Sequence, residues 1–239
     1  MKISVIETGR PPAALAEAFP DYPGMFAELL GAGLGDFEFA PIRLLDGGAL
    51  PDPALLEGAV ITGSPSGVYD DQPWIGPLKA FVRSAHSARL PIVGVCFGHQ
   101  ILADALGGDV RKSPKGWGVG RHTYEVVETR DWMVDARETF SLVASHQDQV
   151  ISAPKRSVTL ARSAHTDHAM LVYEDAPFMS VQGHPEFSDA FASSLYSVRR
   201  GIAYPEVAAD HAIHSLSAIQ GDHALVARWM ARFLSMARR

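Results

Sequence analysis

The chain has 239 residues with 47% hydrophobic and 9% aromatic content, enough apolar surface for one large α/β domain or two small ones. A net charge of −6 argues against nucleic acid or an anionic membrane as the main partner, and no stretch reaches the ~18 to 20 uninterrupted apolar residues of a membrane span. The start, MKISVIETG, is too short in its apolar part and too quickly acidic for a secretory signal, so the cytoplasm is the expected compartment, and one cysteine excludes an internal disulfide.

Strand-like apolar runs alternate with helical patterns along the chain, which predicts an α/β fold with a mostly parallel central sheet between helical layers. KISVIET (2–8) is the first expected strand, followed by a helix near 23–33, a strand FEFAPIRLL (37–45) and a strand GAVITG (58–63) that ends in a glycine turn. After Pro73, read as a first helical position, Trp74, Leu78, Phe81, Val82 and Ala85 recur at helical spacing. PIVGV (91–95) is a short buried-type strand running into Cys96, and HQILADALGG (99–108) is helical and ends on a glycine pair. Residues 109–183 are richer in β patterns, among them VGRHTYEVVE, SVTLARS, HAMLVYED and FMSVQGH. Beyond 187 the pattern is helical, with Val226, Trp229, Met230 and Phe233 as an apolar stripe expected to pack on the same domain. Without repeats or a linker, the simplest organisation is one domain over 1–239, with a core to about 190 and a helical C-terminal extension from about 187.

Cys96 stands at the junction of an apolar run and a helical pattern, between Gly94 and Gly98. A strand that turns sharply into a helix holds one side chain above the sheet edge when its flanking positions lack bulk, and the helix N-terminus then faces the reactive atom. Such an elbow suits a nucleophile and leaves the Phe97 N–H free to face a developing oxyanion. A nucleophilic cysteine needs a base, and the base an orienting group. His184 in SVQGHPEF (180–187) is the best placed of ten histidines: it follows an apolar strand and a glycine, and Pro185 stiffens the segment so that Glu186 projects the same way.

With these residues in place, the chain resembles the class I glutamine amidotransferases, which use a Cys-His-Glu triad. GVCFGHQILADALGG (94–108) corresponds to the nucleophile elbow and GHPEF (183–187) to the histidine and glutamate. ITGSPSGVYDDQPW (61–74) looks like the oxyanion loop of the branch similar to the glutaminase domain of GMP synthetase, and ASHQD (144–148) like that branch's turn near the glutamine pocket. The resemblance implies a flavodoxin-like fold, a triad of Cys96, His184 and Glu186, oxyanion contacts from the backbone of Phe97, Gly63 and Ser64, and substrate contacts from Gln100, His146 and Gln147, with Trp117 in the glycine-rich KGWGVG (115–120) as a pocket wall. It implies glutamine or another γ-glutamyl small molecule as substrate, and no cofactor or metal.

Three points bear on this expectation. Many relatives have Gly-Gly-Pro where this chain has Gly63, Ser64 and Pro65, so a side chain at 64 bears on which N–H points inward. HTDH (165–168) superficially suggests a metal site, but two histidines three apart without a third ligand are usually solvated. Amidotransferases of this type pass ammonia to a synthetase domain or subunit, whereas here 53 residues follow Glu186 and no phosphate-binding loop is present. Three functions remain open: a glutaminase subunit working with an unseen synthetase, a self-sufficient hydrolase of γ-glutamyl compounds, and a non-catalytic regulatory protein on the same fold. Oligomeric state is open.

Overall fold

The computed structural model describes residues 1–31 and 34–237. Its first half runs β1 (Lys2–Glu7), α1 (Tyr22–Gly31), β2 (Glu38–Arg43), β3 (Gly58–Ile61), α2 (Ile75–Ala88), β4 (Ile92–Val95) and α3 (Phe97–Ala105). The middle supplies β5 (Asp109–Lys112), β6 (Gly118–Val126), β7 (Thr139–His146), β8 (Asp148–Ser152), β9 (Ser157–Arg162), β10 (Met170–Tyr173) and β11 (Phe178–Val181). Three helices follow: α4 (Asp189–Arg199), α5 (Glu206–Ala218) and α6 (His223–Ala237).

Nine strands form one sheet in the order β2-β1-β3-β4-β11-β10-β9-β6-β7, while β5 pairs with β8. From β2 to β11 neighbouring strands are parallel. From β11 to β7 they are antiparallel. In the parallel half, β3 and β4 are buried at every position, as continuous apolar runs should be when helices cover both sheet faces. On one face, Phe26 and Leu30 of α1 and Val226, Trp229, Met230 and Phe233 of α6 pack with Val5, Val60 and Val93. On the other, Leu78, Phe81 and Val82 of α2 and Ile101 and Leu102 of α3 pack with Ile6, Ile61 and Ile92. The apolar stripe of α6 is thus part of this chain's own core. Helices α4 and α5 lie over the antiparallel half, where Phe191, Leu195 and Ala212 meet Val143.

Several boundaries differ from expectation for local reasons. Pro73 is not the first helical residue: Trp74 caps α2, which starts at Ile75. Helix α3 starts at Phe97 rather than His99, because the elbow turns within a single residue. The second strand stops at Arg43, where Leu44–Asp46 form a 3-10 turn closed by Gly47 at φ 79°. Residues 32 and 33 of the helix expected over 23–33 lie outside the described residues. Strand β7 is buried on both faces over five consecutive positions, so it lacks the alternation that delimits a strand in sequence. Among the described residues, no helix is long and apolar enough to cross a membrane.

Candidate active site

Four parallel strands deliver the site from their carboxyl ends. β1 runs into Thr8, β3 into Thr62 and Gly63, and β4 into Cys96; β11 leads to His184 three residues beyond its end. Ligand sites of open parallel sheets collect at this edge, because the loops there leave the strands on one common side.

Cys96 occupies the turn between β4 and α3 at φ 54°, ψ −103°, a left-handed backbone that a non-glycine residue adopts only when its surroundings enforce it. Its N–H donates to Val181 O (2.9 Å) and its carbonyl accepts from Gln100 N (3.0 Å), which holds the residue from both sides. The flanking glycines are sterically required. A Cβ on Gly94 would sit 2.5 Å from Gly98 O, and one on Gly98 would sit 2.2 Å from Ile61 O. Cys96 is 5% exposed and lines a cleft at this edge of the sheet.

His184 and Glu186 converge on this cysteine. The imidazole Nδ1 donates to Glu186 Oε1 at 2.7 Å, the i, i+2 pairing that the extended His-Pro-Glu segment predicts. Nε2 is then left for the hydrogen bond between His184 and Cys96. Burial works against a charged imidazole, but the charges of Glu186 and Cys96, and their hydrogen bonds, outweigh it and raise the His184 pKa to about 10. The ring is further fixed by Phe187, stacked on it at 4.0 Å and 5°. The backbone is held as well: His184 N–H donates to Val143 O (2.8 Å), and His223 Nδ1 donates to Pro185 O (3.0 Å).

The loop at 63–70 closes the other side. Gly63 lies so close to the imidazole that a Cβ there would be 3.0 Å from His184 Cε1. Ser64 does not fill the cleft: its Oγ accepts the Ser66 N–H at 3.1 Å, so the side chain that distinguishes this loop from Gly-Gly-Pro is spent on a local turn. The start of the loop is pinned from β1, where Thr8 N–H donates to Thr62 Oγ1 (3.0 Å) and Thr8 Oγ1 to Thr62 O (2.9 Å). Gly9 presses against the same segment, and a Cβ on it would be 2.6 Å from Gly63 O. The first-turn N–H of Phe97 follows the cysteine directly, and Gly63 and Ser64 line the cleft beside it.

Cys96 and His184 line a cleft of about 440 Å³. Gln100, His146, Gln147 and Trp117 all reach it. The Gln100 amide nitrogen is committed to Asp148 O (2.8 Å) and Gln182 Oε1 (3.2 Å), which leaves its carbonyl oxygen as the atom for a ligand. His146 is bonded through Nδ1 to Asp148 O, and burial, with His122 and His165 adding to it, holds its pKa well below the ordinary value; neither its partner nor its basicity is that of the base for Cys96. His165 and His168 do not converge. His165 packs against His122 and His146, while His168 bonds Thr159 Oγ1.

Sequence reasoning missed Thr8, Gly9 and Thr62, and it missed Tyr22, Phe187 and Arg199 in the wall of the cleft. Gly9, two residues after β1, was a usable signal for the loop contacts. Tyr22 and Arg199 carried none, since each reaches the site from a separate segment of the chain.

The fold and this edge define an α/β protein that presents a lone cysteine on a strand-to-helix elbow beside a histidine–glutamate pair. The profile of the class-I glutamine amidotransferase family matches residues 52–194, and the chain belongs to that family. Gamma-glutamyl peptidase 2 of Arabidopsis thaliana is 31% identical over 190 residues, covering 73% of this chain and 75% of that protein. One subunit of a glutamine-hydrolysing GMP synthase from Ignicoccus hospitalis is 32% identical, covering 61% of this chain and 74% of that polypeptide. A glutamine amidotransferase crystal structure from Thermotoga maritima shares the fold over 98% of both chains, with a TM-score of 0.75 at 16% identity.

Proposed function

We propose that this chain hydrolyses a γ-glutamyl amide through a thioester on Cys96. The observation that carries the reading is the imidazole of His184, fixed by Glu186 at 2.7 Å, made more basic than an ordinary histidine and hydrogen-bonded to a cysteine on a strained elbow. In the first step Cys96 Sγ bonds to the δ-carbon of the γ-glutamyl group. The carbonyl oxygen takes the negative charge, facing the N–H of Phe97 and the backbone of Gly63 and Ser64. As the C–N bond breaks, the proton on His184 passes to the departing amine or ammonia. Water then attacks the thioester carbon and gives its proton to His184, and glutamate leaves as the thiolate is restored. Each oxyanion donor contributes about 3 kcal/mol to such a transition state, which gives the pinned 62–64 loop a weight close to that of the triad. Gln100, His146 and Gln147 are the proposed contacts for the glutamyl group, and Trp117 a wall.

The similarity to gamma-glutamyl peptidase 2, which extends over nearly three quarters of both chains, favours a self-sufficient hydrolase. The similarity to a GMP synthase subunit supports the second reading, a glutaminase that waits for a synthetase partner. Glutamate release by the purified chain, from glutamine and from γ-glutamyl peptides, tests both. Turnover that Cys96→Ser abolishes establishes the hydrolase. Silence on every substrate, with Cys96 still alkylated by iodoacetamide, points to the partner; silence with an inert thiol refutes the catalytic reading.

A further inference from the structure

The hydrolase reading, on which the role of Arg199 inferred below depends, has a directional consequence: the amine must leave on the His184 side of the scissile carbon, because its proton comes from that ring. Outward from the imidazole the wall is continuous. Phe187 is stacked on His184, Tyr22 packs on Phe187 with centroids 5.7 Å apart, and the charge of Arg199 acts on Tyr22. Arg199 is the last residue of α4 and itself lines the cleft that contains Cys96. It lies beyond residues 52–194, the segment shared with the family profile.

Arg199 stands out for what it does not do. Its neighbour Arg200 bonds both oxygens of Asp210 (2.8 and 3.0 Å) and pairs with Glu206. The Arg199 side chain makes one hydrogen bond, from Nη1 to the Tyr204 hydroxyl at 3.1 Å, and has no carboxylate partner among the described residues. A half-buried guanidinium without a counter-charge is costly to keep, and its planar fork matches a carboxylate. Burial opposes its charge, but the Tyr204 hydroxyl accepts its hydrogen bond and the net shift of its pKa is upward. Lys112, the other lysine or arginine lining the cleft among the described residues, is exposed on β5 and paired in register with Asp148, at the rim formed by the 147–148 turn.

We infer that Arg199 is a specificity determinant for the leaving amine: it receives the carboxylate of an amino acid joined through its α-nitrogen to the γ-glutamyl group. The preferred substrates are then γ-glutamyl amino acids. Ammonia, the leaving group of glutamine, offers Arg199 no anion.

The test compares γ-glutamylalanine with γ-glutamylalanine amide, which differ in that carboxylate. For the wild-type chain kcat/KM for the acid exceeds that for the amide by about tenfold or more, mainly through KM, as a charge-assisted hydrogen bond provides. In Arg199→Met the ratio falls to about one, and Arg199→Lys keeps part of it. The ratio is measured within one preparation, so a partly unfolded variant does not distort it. A wild-type ratio near one, a ratio that survives in Arg199→Met, or its loss in Lys112→Met overturns the inference. Should neither peptide turn over, the hydrolase reading fails on its own, and calorimetric binding to the Cys96→Ser protein decides the role of Arg199: tighter binding of the acid, lost on adding Arg199→Met, sustains it, and equal binding of acid and amide overturns it.

Discussion

Replacing Gly98 by alanine adds one methyl group at the point where the two sides of the proposed oxyanion site touch. The new Cβ would lie 2.2 Å from Ile61 O and 2.9 Å from Ile61 C, against 3.4 Å or more for an ordinary contact. Both neighbours are backbone, so no side chain can turn aside. The start of α3 and the end of β3 must separate by about 1 Å, which also stretches the Gly98 N–H bond to Thr62 O, now 3.2 Å. Overpacking of this kind costs about 1–3 kcal/mol of stability. The larger effect is expected on turnover. Phe97 moves with the helix and Gly63 with the strand, and a displacement of about 1 Å in a reacting constellation costs on the order of 100-fold in rate. The assay is kcat/KM on a γ-glutamyl peptide beside a thermal melt, with Gly76→Ala as the control. Gly76 sits in α2 with nothing within 4 Å of its would-be Cβ, so alanine there should leave the melt unchanged or raise it slightly. A Gly98→Ala protein with wild-type melting and wild-type kcat/KM would refute the steric account of the elbow.

Other outcomes follow from the same geometry. Glu186→Gln removes the charge that fixes and charges the imidazole, so kcat should drop about 10²- to 10⁴-fold while the fold survives, checked by steady-state kinetics and circular dichroism. Because the folded-state pKa of His184 is raised from the ordinary 6.5 to about 10, its ionic contribution to stability is complete below pH 6.5 and is lost as pH rises toward 10. The stability gap between wild type and His184→Asn, measured by denaturant unfolding at pH 6, 8 and 10, should therefore narrow as pH rises. Thr62→Val leaves the buried Thr8 N–H without its 3.0 Å partner, which costs about 1–3 kcal/mol and loosens the oxyanion loop; unfolding and kcat/KM should both register it.

The elbow was legible in sequence because its constraint is local. Gly94 meets Gly98 four positions on within a single turn, so the residue types alone signal the elbow even though the closest neighbour of Gly98 is Ile61 of β3, and the His-Pro-Glu pairing is local in the same sense. The strand and helix pattern was legible wherever a strand ran between breakers, as GAVI and IVGV do, and blurred where burial ran on both faces, as in β7. What could not be read was contact between distant segments. Thr8 reaches Thr62 across 54 positions of chain, and Tyr22, Trp117, Phe187 and Arg199 share a wall although they come from four separate stretches. No periodicity reports such meetings, because they are set by how the sheet orders its strands.

That division has a functional consequence. The groups proposed to do chemistry stand on the carboxyl ends of parallel strands in the buried middle of the sheet, where a change of one methyl group meets backbone at 2.2 Å. The wall proposed to recognise the leaving amine stands on the helices α1 and α4 rather than on the strand ends, and the side chain of its charged member is held by one hydrogen bond to Tyr204. Tyr204 is itself tied by its hydroxyl to Ser145 at 2.7 Å and set edge-on to Trp117 at 4.8 Å, so Arg199 is positioned by a strut that reaches back to the cleft without touching the cysteine. A substitution in this strut can therefore alter which amine is accepted while leaving the elbow's geometry in place. Tyr204→Phe removes the hydroxyl that links Ser145 to Arg199, and it should lower the preference for the carboxylate-bearing substrate through KM with a smaller change in kcat. An equal fall in kcat for acid and amide would instead place the strut in service of the triad.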